Sequence, residues 1–185
     1  MGQIVATQSR DALALRSEDH GAQQYLTFTL NTELFAVGIL NIKEILEYGQ
    51  LTEIPMMPAF IRGVINLRGA VVPVIDLSAR FGARPTEIGR RTCIVIVELT
   101  QTIDDADVRQ DIGIIVDSVN EVLEIPASEI EPAPAFGARI RADFIQGMGK
   151  VAGRFVIILA LGRVLSVDEM SQLAAVGGDA VAAEH

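Results

Sequence analysis

Residue types that support catalysis or metal binding are scarce in this 185-residue chain. Its two histidines, His20 and His185, stand near the two chain ends, so neither is expected to serve as a positioned base for a nucleophile. The neighbouring carboxylates Asp104 and Asp105 stand in a predicted loop, without the apolar or cationic neighbours that acid–base catalysis needs. No cysteine and histidine spacing suggests zinc. The sequence therefore favours a non-enzymatic protein that needs no cofactor or metal.

A glycine-rich segment, GMGKVAG at 147–153, superficially resembles a phosphate-binding loop. It lacks the Gly-Lys-Ser/Thr order of such a loop, and we interpret it as a turn between strands. A formal net charge of −9 argues against a nucleic-acid partner, which requires clustered lysine and arginine. The lone Cys93 lies in the apolar run CIVIV, so we expect a buried, inert thiol and a reducing, intracellular location.

The stretch from Phe60 to Leu77 is the most informative part of the sequence. Two glycines, Gly63 and Gly69, flank the polar tip Asn66-Leu67-Arg68, and an apolar run follows. Glycine permits backbone angles that other residues avoid, and β-branched runs favour strands. This pattern predicts two strands joined by a tight turn that presents the side chain of Arg68.

Capping signals predict short helical segments elsewhere in the chain. Asn41 and Glu44 form a capping box, which predicts one or two helical turns after the strands at 24–30 and 34–40. Ser166 and Glu169 form another, which predicts a closing helix over about 167–173.

The chain contains an internal repeat. Glu121 lies 77 residues after Glu44 in a similar segment, and the capping box recurs there as Ser118 and Glu121. Further on, an offset of 84 places Gly147 and Gly153 on the two glycines of the first unit. Each unit reads as about five short strands, which predicts two small closed barrels packed together.

The tips of the two units differ. Lys150 and Ala152 stand where the first unit has Asn66 and Arg68. Because residues that a fold requires should occur in both copies, Asn66 and Arg68 are better explained by a task than by the fold.

The matching segments also resemble the CheW-like family of bacterial chemotaxis coupling proteins. They span residues 23 to 173 and comprise QYLTFTL, NIKEIL, PAFIRGVINLRG, VVPVIDL, IGIIVDSVNEVLEI, EPAP and FIQGMG. The resemblance implies an all-β fold of two SH3-like five-stranded barrels. The expected organisation is an N-terminal flexible arm at 1–22, barrels at 23–82 and 90–165, a closing helix at 167–173 and a tail at 174–185. The acidic loop at 101–111 departs from the family pattern.

The resemblance also implies a function: a non-catalytic cytoplasmic adaptor that joins the histidine kinase CheA to transmembrane chemoreceptors in arrays. The alternative is a regulatory module of the same fold, from a kinase or from a coupling protein fused to a receiver domain. The absence of a linker or partner domain after the closing helix leads us to expect a stand-alone adaptor.

The resemblance implies two sets of contact residues. The expected receptor-binding residues are Ile39, Ile42, Glu44, Arg62, Gly63, Asn66 and Arg68. The expected kinase-binding residues are Phe136, Val122 and Cys93.

Several of these positions have structural alternatives. Core packing would explain Ile39 and Ile42, the capping box would explain Glu44, and turn geometry would explain Gly63. Arg68 could instead form a local ion pair with Glu44 or Glu47, and Phe136 could be a lid on its own core.

Overall fold

The computed structural model describes residues 23–133 and 140–166, apart from the side chain of Ile103. This part of the chain is almost entirely β-structure, with two short α-helices, α1 Leu77–Arg80 and α2 Leu161–Val164. Its strands are β1 Gln23–Leu30, β2 Glu33–Gly38, β3 Ile42–Glu47, β4 Ile61–Leu67, β5 Ala70–Asp76, β6 Cys93–Ile103, β7 Ala106–Val116, β8 Ser118–Ile125, β9 Ile130–Glu131, β10 Ile145–Val151 and β11 Arg154–Leu159. The predicted all-β class is confirmed. The predicted closing helix, both chain ends and Phe136 lie outside the described residues.

The strands form two curled sheets. Sheet A has the order β8-β1-β2-β11-β10-β9, and sheet B has the order β3-β6-β7-β5-β4. Neighbouring strands are antiparallel except for the parallel pairs β2–β11 and β5–β7. Two half-barrels of SH3-like character result.

The two sheets do not follow the predicted boundaries at 23–82 and 90–165. The hairpin β1–β2 belongs to sheet A with β8 to β11, while the hairpin β6–β7 belongs to sheet B with β3 to β5. Each sheet thus combines the first two strands of one sequence unit with the later strands of the other. The boundaries were wrong because alternation identifies the buried face of a strand but not its neighbours in the sheet.

The repeat itself is present in the structure. Hairpins β4–β5 and β10–β11 begin at Ile61 and Ile145, 84 residues apart, and each is followed by a one-turn helix. Each hairpin has a register shift just before its first glycine, Gly63 or Gly147.

The capping boxes at Asn41 and at Ser118 do not start helices. Strand β3 occupies Ile42–Glu47 and strand β8 occupies Ser118–Ile125; only a 3-10 turn, Ile39–Asn41, precedes β3. In β3, half-buried and exposed residues alternate strictly, as in a strand with one face on the core. This period of two and the pairing with β6 outweigh the local capping signal.

The buried apolar residues form three clusters, one between the two sheets and one inside each sheet. The largest joins both sheets and contains a row of rings, Phe28, Phe35, Phe81 and Phe144, with centroids 5.6 to 6.1 Å apart. A smaller cluster including Tyr25 and Ile158 belongs to sheet A, and one including Val74 and Ile96 belongs to sheet B. Each curled sheet therefore has an interior of its own, and the large cluster lies where the two sheets pack together.

A buried arginine reinforces the junction between the sheets. Arg80 of α1 donates from Nε to the carbonyl of Val164 in α2, at 2.8 Å. Its guanidinium carbon lies 4.7 Å from the ring centroid of Phe144 and 5.2 Å from that of Phe60. The hydrogen bond links the two equivalent helices of the repeat, and the cation–π contacts hold the guanidinium between the rings of Phe60 and Phe144.

Candidate partner-binding surface

The tip of hairpin β4–β5 presents Arg68 to solvent, as the sequence predicts. Arg68 and Gly69 have φ angles of 53° and 87°, the left-handed pair of a two-residue hairpin turn. The side-chain Oδ1 of Asn66 accepts a hydrogen bond from the backbone N–H of Gly69, at 3.0 Å. The Arg68 side chain is 79% exposed. Asn66 therefore fixes the turn, and Arg68 projects from it.

Arg68 also forms the local ion pair considered as an alternative. One of its terminal nitrogens lies 2.7 Å from Oε2 of Glu44. Strands β3 and β4, the two edges of sheet B, are thereby connected, because Glu44 lies in β3 and Arg68 follows β4. The pair spans the seam where the curled sheet meets itself.

Two apolar residues of the expected receptor set lie near Glu44 in the chain. Ile42 is half-buried and packs against the large core cluster, so core packing explains part of its role. Ile39 is half-buried in the 3-10 turn. Between them Leu40 is 94% exposed, a position that the sequence prediction missed.

Arg62 is committed to an interaction within the fold. Its Nη1 donates to Oδ2 of Asp76, at 3.2 Å, and the Asp76 side chain has no exposed surface. Asp76 also accepts from the backbone N–H and the hydroxyl of Thr86, at 2.8 and 2.9 Å, and from the N–H of Ala79. The sequence prediction missed Asp76, although its place between a buried strand and a helical turn was a usable signal.

Gly63 is required for steric reasons. Its φ is 154°, and a Cβ there would lie 2.4 Å from the carbonyl oxygen of Thr52. A Cβ at the equivalent Gly147 would lie 2.5 Å from Cγ2 of Ile130. Both glycines therefore allow a preceding segment to cross closely over the hairpin, which explains them without a partner.

Two of the expected kinase-binding residues, Val122 and Cys93, are described, and they lie in strands of different sheets. Val122 lies on edge strand β8 of sheet A and is 46% exposed, whereas Cys93 begins β6 in sheet B and is half-buried. Burial raises the pKa of the Cys93 thiol, in agreement with the inert thiol considered earlier. Phe136 lies outside the described residues.

Exposed apolar residues recur at equivalent positions of the repeat. Ile45 and Val122, offset by 77 residues, are 44% and 46% exposed on the edge strands β3 and β8. Val71 and Phe155, offset by 84, are also exposed. The sequence alignment of the two units contained this signal, but only solvent exposure shows that these positions face outward.

The acidic loop at 101–111 is the end of the long hairpin β6–β7, which turns at Asp104 and Asp105. Lys43 of β3 binds the middle of this hairpin through Asp111, at 3.0 Å, and Glu98, at 3.2 Å, two residues that pair with each other across the hairpin. The hydrogen bond to Asp111, followed by the smaller effect of the one to Glu98, raises the pKa of Lys43. These contacts join both strands of the hairpin to the edge strand β3.

The described parts of the chain hold neither a metal-binding cluster nor a membrane-spanning helix. Residues 23–133 and 140–166 contain no group of three histidine, cysteine or acidic side chains that could hold a metal ion. No helix within these ranges is both long and apolar enough to cross a membrane.

Comparison with known proteins assigns these features to a family. The model of the CheW-like domain matches residues 24–169. "Chemotaxis protein CheW" from Klebsiella aerogenes is 35% identical over 80% of this chain and 85% of its own length. "Chemotaxis protein CheW" from Bacillus subtilis is 31% identical over 86% of this chain and 97% of its own length.

A solved structure agrees. The scaffolding protein TtCheW from Thermoanaerobacter tengcongensis has a TM-score of 0.68 and 35% sequence identity, and the match covers 80% of this chain and 90% of that one. The chain therefore belongs to the CheW-like domain family, and it is a chemotaxis adaptor protein.

Proposed function

We propose that this adaptor is non-catalytic and couples the histidine kinase CheA to chemoreceptors, in the cytoplasm at receptor arrays. The observation that carries the proposal is the exposed, paired Arg68 on a turn whose counterpart in the second unit has Ala152. The relatives named CheW, matched over 85% and 97% of their own lengths, support an adaptor rather than a kinase module.

The receptor-binding surface of this proposal is the seam of sheet B, defined by Ile39, Ile42, Glu44 and Arg68. A receptor tip is a helical hairpin, and a helix face fits a surface with an apolar centre and charged edges. The Arg68–Glu44 pair is exposed on the arginine side, and such pairs contribute little to stability. A partner can therefore replace one member of the pair at little cost to the fold.

The other expected receptor residues act indirectly in this proposal. Arg62 is bound to Asp76, Gly63 allows the crossing of Thr52, and Asn66 fixes the turn that carries Arg68. They position the surface, and we assign direct contact first to Arg68.

The kinase-binding surface of this proposal is on sheet A. Val122 is an exposed apolar side chain on an edge strand, a suitable element for contact with another barrel. Phe136 is the aromatic anchor of this proposal, and Cys93, whose thiol interacts with the backbone of Val119 in β8, is its third member.

Co-sedimentation with receptor-bearing membranes, with and without CheA, tests the adaptor proposal. We expect the protein to sediment with receptor membranes alone and to increase the amount of CheA that sediments. Sedimentation of CheA that does not depend on this protein would contradict the proposal.

A matched pair of substitutions tests the kinase-binding surface. Val122→Glu should weaken CheA association about tenfold, or about 1.4 kcal/mol, while Ile45→Glu at the equivalent exposed position should leave it unchanged. Phe136→Ala should weaken it by about 2 kcal/mol or more, as for an aromatic anchor. The measurement is calorimetric titration with CheA, with thermal melting as a control for folding. Equal effects at Ile45 and Val122 would place the kinase elsewhere.

A further inference from the structure

A groove around Leu40 has no occupant among the described residues. Leu40 is 94% exposed, the most exposed of the large apolar side chains described. It lies on the 3-10 turn Ile39–Asn41, where the chain passes from sheet A to sheet B. Leu40 lines two cavities, of about 570 and 540 Å³, which share Gln23, Gly38 and Asn41. Both volumes are in the range of sites that bind small molecules or side chains.

The described chain begins at this groove. Gln23, the first residue of β1, lines both cavities. Two residues further on, Tyr25 pairs with Gly38, the last residue of β2 before the turn that carries Leu40. Residue 22 is therefore attached directly beside the groove.

The sequence before Gln23 carries side chains that match the groove. In the segment DALALRS, Leu13 and Leu15 fall on one face of an extended chain, and Arg16 follows them. Leu15 lies eight residues before Gln23, within roughly 26 Å of extended chain, so it can reach any part of the groove. Glu124 lines the second cavity and forms no ion pair with another described residue, so it is available to Arg16.

We propose that the segment from Asp11 to Ser17 docks in the groove around Leu40, with Leu13 and Leu15 against Leu40 and Arg16 near Glu124. Attachment at Gln23 gives the segment a high effective concentration, so that a contact of modest strength suffices. The groove adjoins Ile39, and a docked segment would cover part of the surface proposed for a helical partner. The docking itself does not depend on that partner.

Nuclear magnetic resonance of the full chain tests this proposal without a ligand. Replacing Leu13→Glu and Leu15→Glu together should shift the signals of Gly38, Leu40 and Asn41, which are more than twenty residues away in sequence. The control is Thr7→Glu with Gln8→Glu, which adds the same charge to the same arm but removes no leucine. That control should leave the groove signals unchanged.

The reciprocal experiment replaces the receiving side. Leu40→Glu should shift the methyl signals of Leu13 and Leu15, while Phe155→Glu, at an exposed position that lines neither cavity, should not. Leu40 is fully accessible, so this substitution should not affect folding. Dilution should leave the shifts of the unmodified protein unchanged, because the contact is within one chain.

Three results would overturn the proposal. In the first, the leucine substitutions shift only their own neighbours in sequence. In the second, the leucine and control pairs shift the groove equally, which would indicate a charge effect. In the third, the groove shifts depend on protein concentration, which would assign the contact to a second copy.

Discussion

The hairpins β4–β5 and β10–β11 have the same backbone plan but different chemistry. Each has a register shift before its first glycine, a left-handed residue at its tip, Arg68 or Ala152, and a glycine after it. Each continues into a one-turn helix. These shared features are what the fold requires of either unit.

The differences between the hairpins lie in their polar side chains. The first has three side-chain interactions: Asn66 with Gly69, Arg68 with Glu44, and Arg62 with Asp76. In the second, Ala152 replaces Arg68 and Ala160 replaces Asp76. The backbone of the second hairpin forms without these interactions, so they add something specific to the first unit. The comparison thus separates the residues that both hairpins need in order to form from the polar residues that only the first hairpin has.

The largest effect expected from this comparison concerns the paired glycines. Gly63→Ala places a methyl group against the backbone of Thr52 and forces a positive φ on alanine, which should cost about 3 kcal/mol or more. Gly147→Ala meets a side-chain methyl of Ile130 and, at 3.2 Å, the carbonyl oxygen of Glu131, but has no positive φ, so it should cost about half as much. Chemical denaturation measures both. Equal losses would show that the two crossings are equally tight.

The buried carboxylate of the first unit gives the next effect. Asp76→Ala leaves Arg62 and the Thr86 donors without their acceptor in a buried site, which should cost about 3 kcal/mol of unfolding free energy. The control is Asp117→Ala, which removes a single acceptor from the backbone N–H of Asn31 and should cost about 1 kcal/mol. Urea denaturation monitored by circular dichroism measures both. A loss at Asp76 no greater than that at Asp117 would show that the network contributes no more than one ordinary hydrogen bond.

The smallest effect on stability is expected at the tip. Arg68→Glu removes an ion pair with an exposed arginine and places a like charge beside Glu44, which should cost less than about 1 kcal/mol. Lys150→Glu, on the other tip, should change stability by no more than this. Thermal melting measures both. Unfolding of the Arg68 variant at ordinary temperature would show that the ion pair with Glu44 closes the barrel and is needed for folding.

The glycine spacing predicted the most of this structure. The glycines that flank each tip predicted a turn between two strands, and both hairpins form where the repeat places them, whereas the close crossings over Gly63 and Gly147 were not predicted. The alternating runs at 24–30 and 34–40 likewise correspond to β1 and β2. Local steric and hydrophobic rules suffice for these elements because their partners are adjacent in sequence.

The remaining features depend on distant parts of the chain. The capping boxes at Asn41 and Ser118 fail because pairing with β6 and β1 determines the conformation there. Hairpin β1–β2 joins the later strands of the second unit, and hairpin β6–β7 joins those of the first, but no local sequence pattern indicates this exchange. Of the site, the exposure of Arg68 was predicted, and its ion pair with Glu44 was one of two pairs considered as an alternative to partner binding. The ion pair of Arg62 with Asp76 was not predicted, because it depends on how strand and loop meet in space.

The central claim is that Arg68 of the first hairpin contacts a receptor directly. The most direct test exchanges the charges of Arg68 and Glu44. Receptor binding is measured for Arg68→Glu alone, for Arg68→Glu combined with Glu44→Arg, and for Lys150→Glu, with CheA binding as the control. The exchange restores the ion pair in reverse. We predict that the single and exchanged Arg68 variants both lose receptor binding, while all three variants keep CheA binding and Lys150→Glu keeps both. Recovery of receptor binding in the exchanged variant would show that Arg68 serves only the pair with Glu44 and would contradict the account.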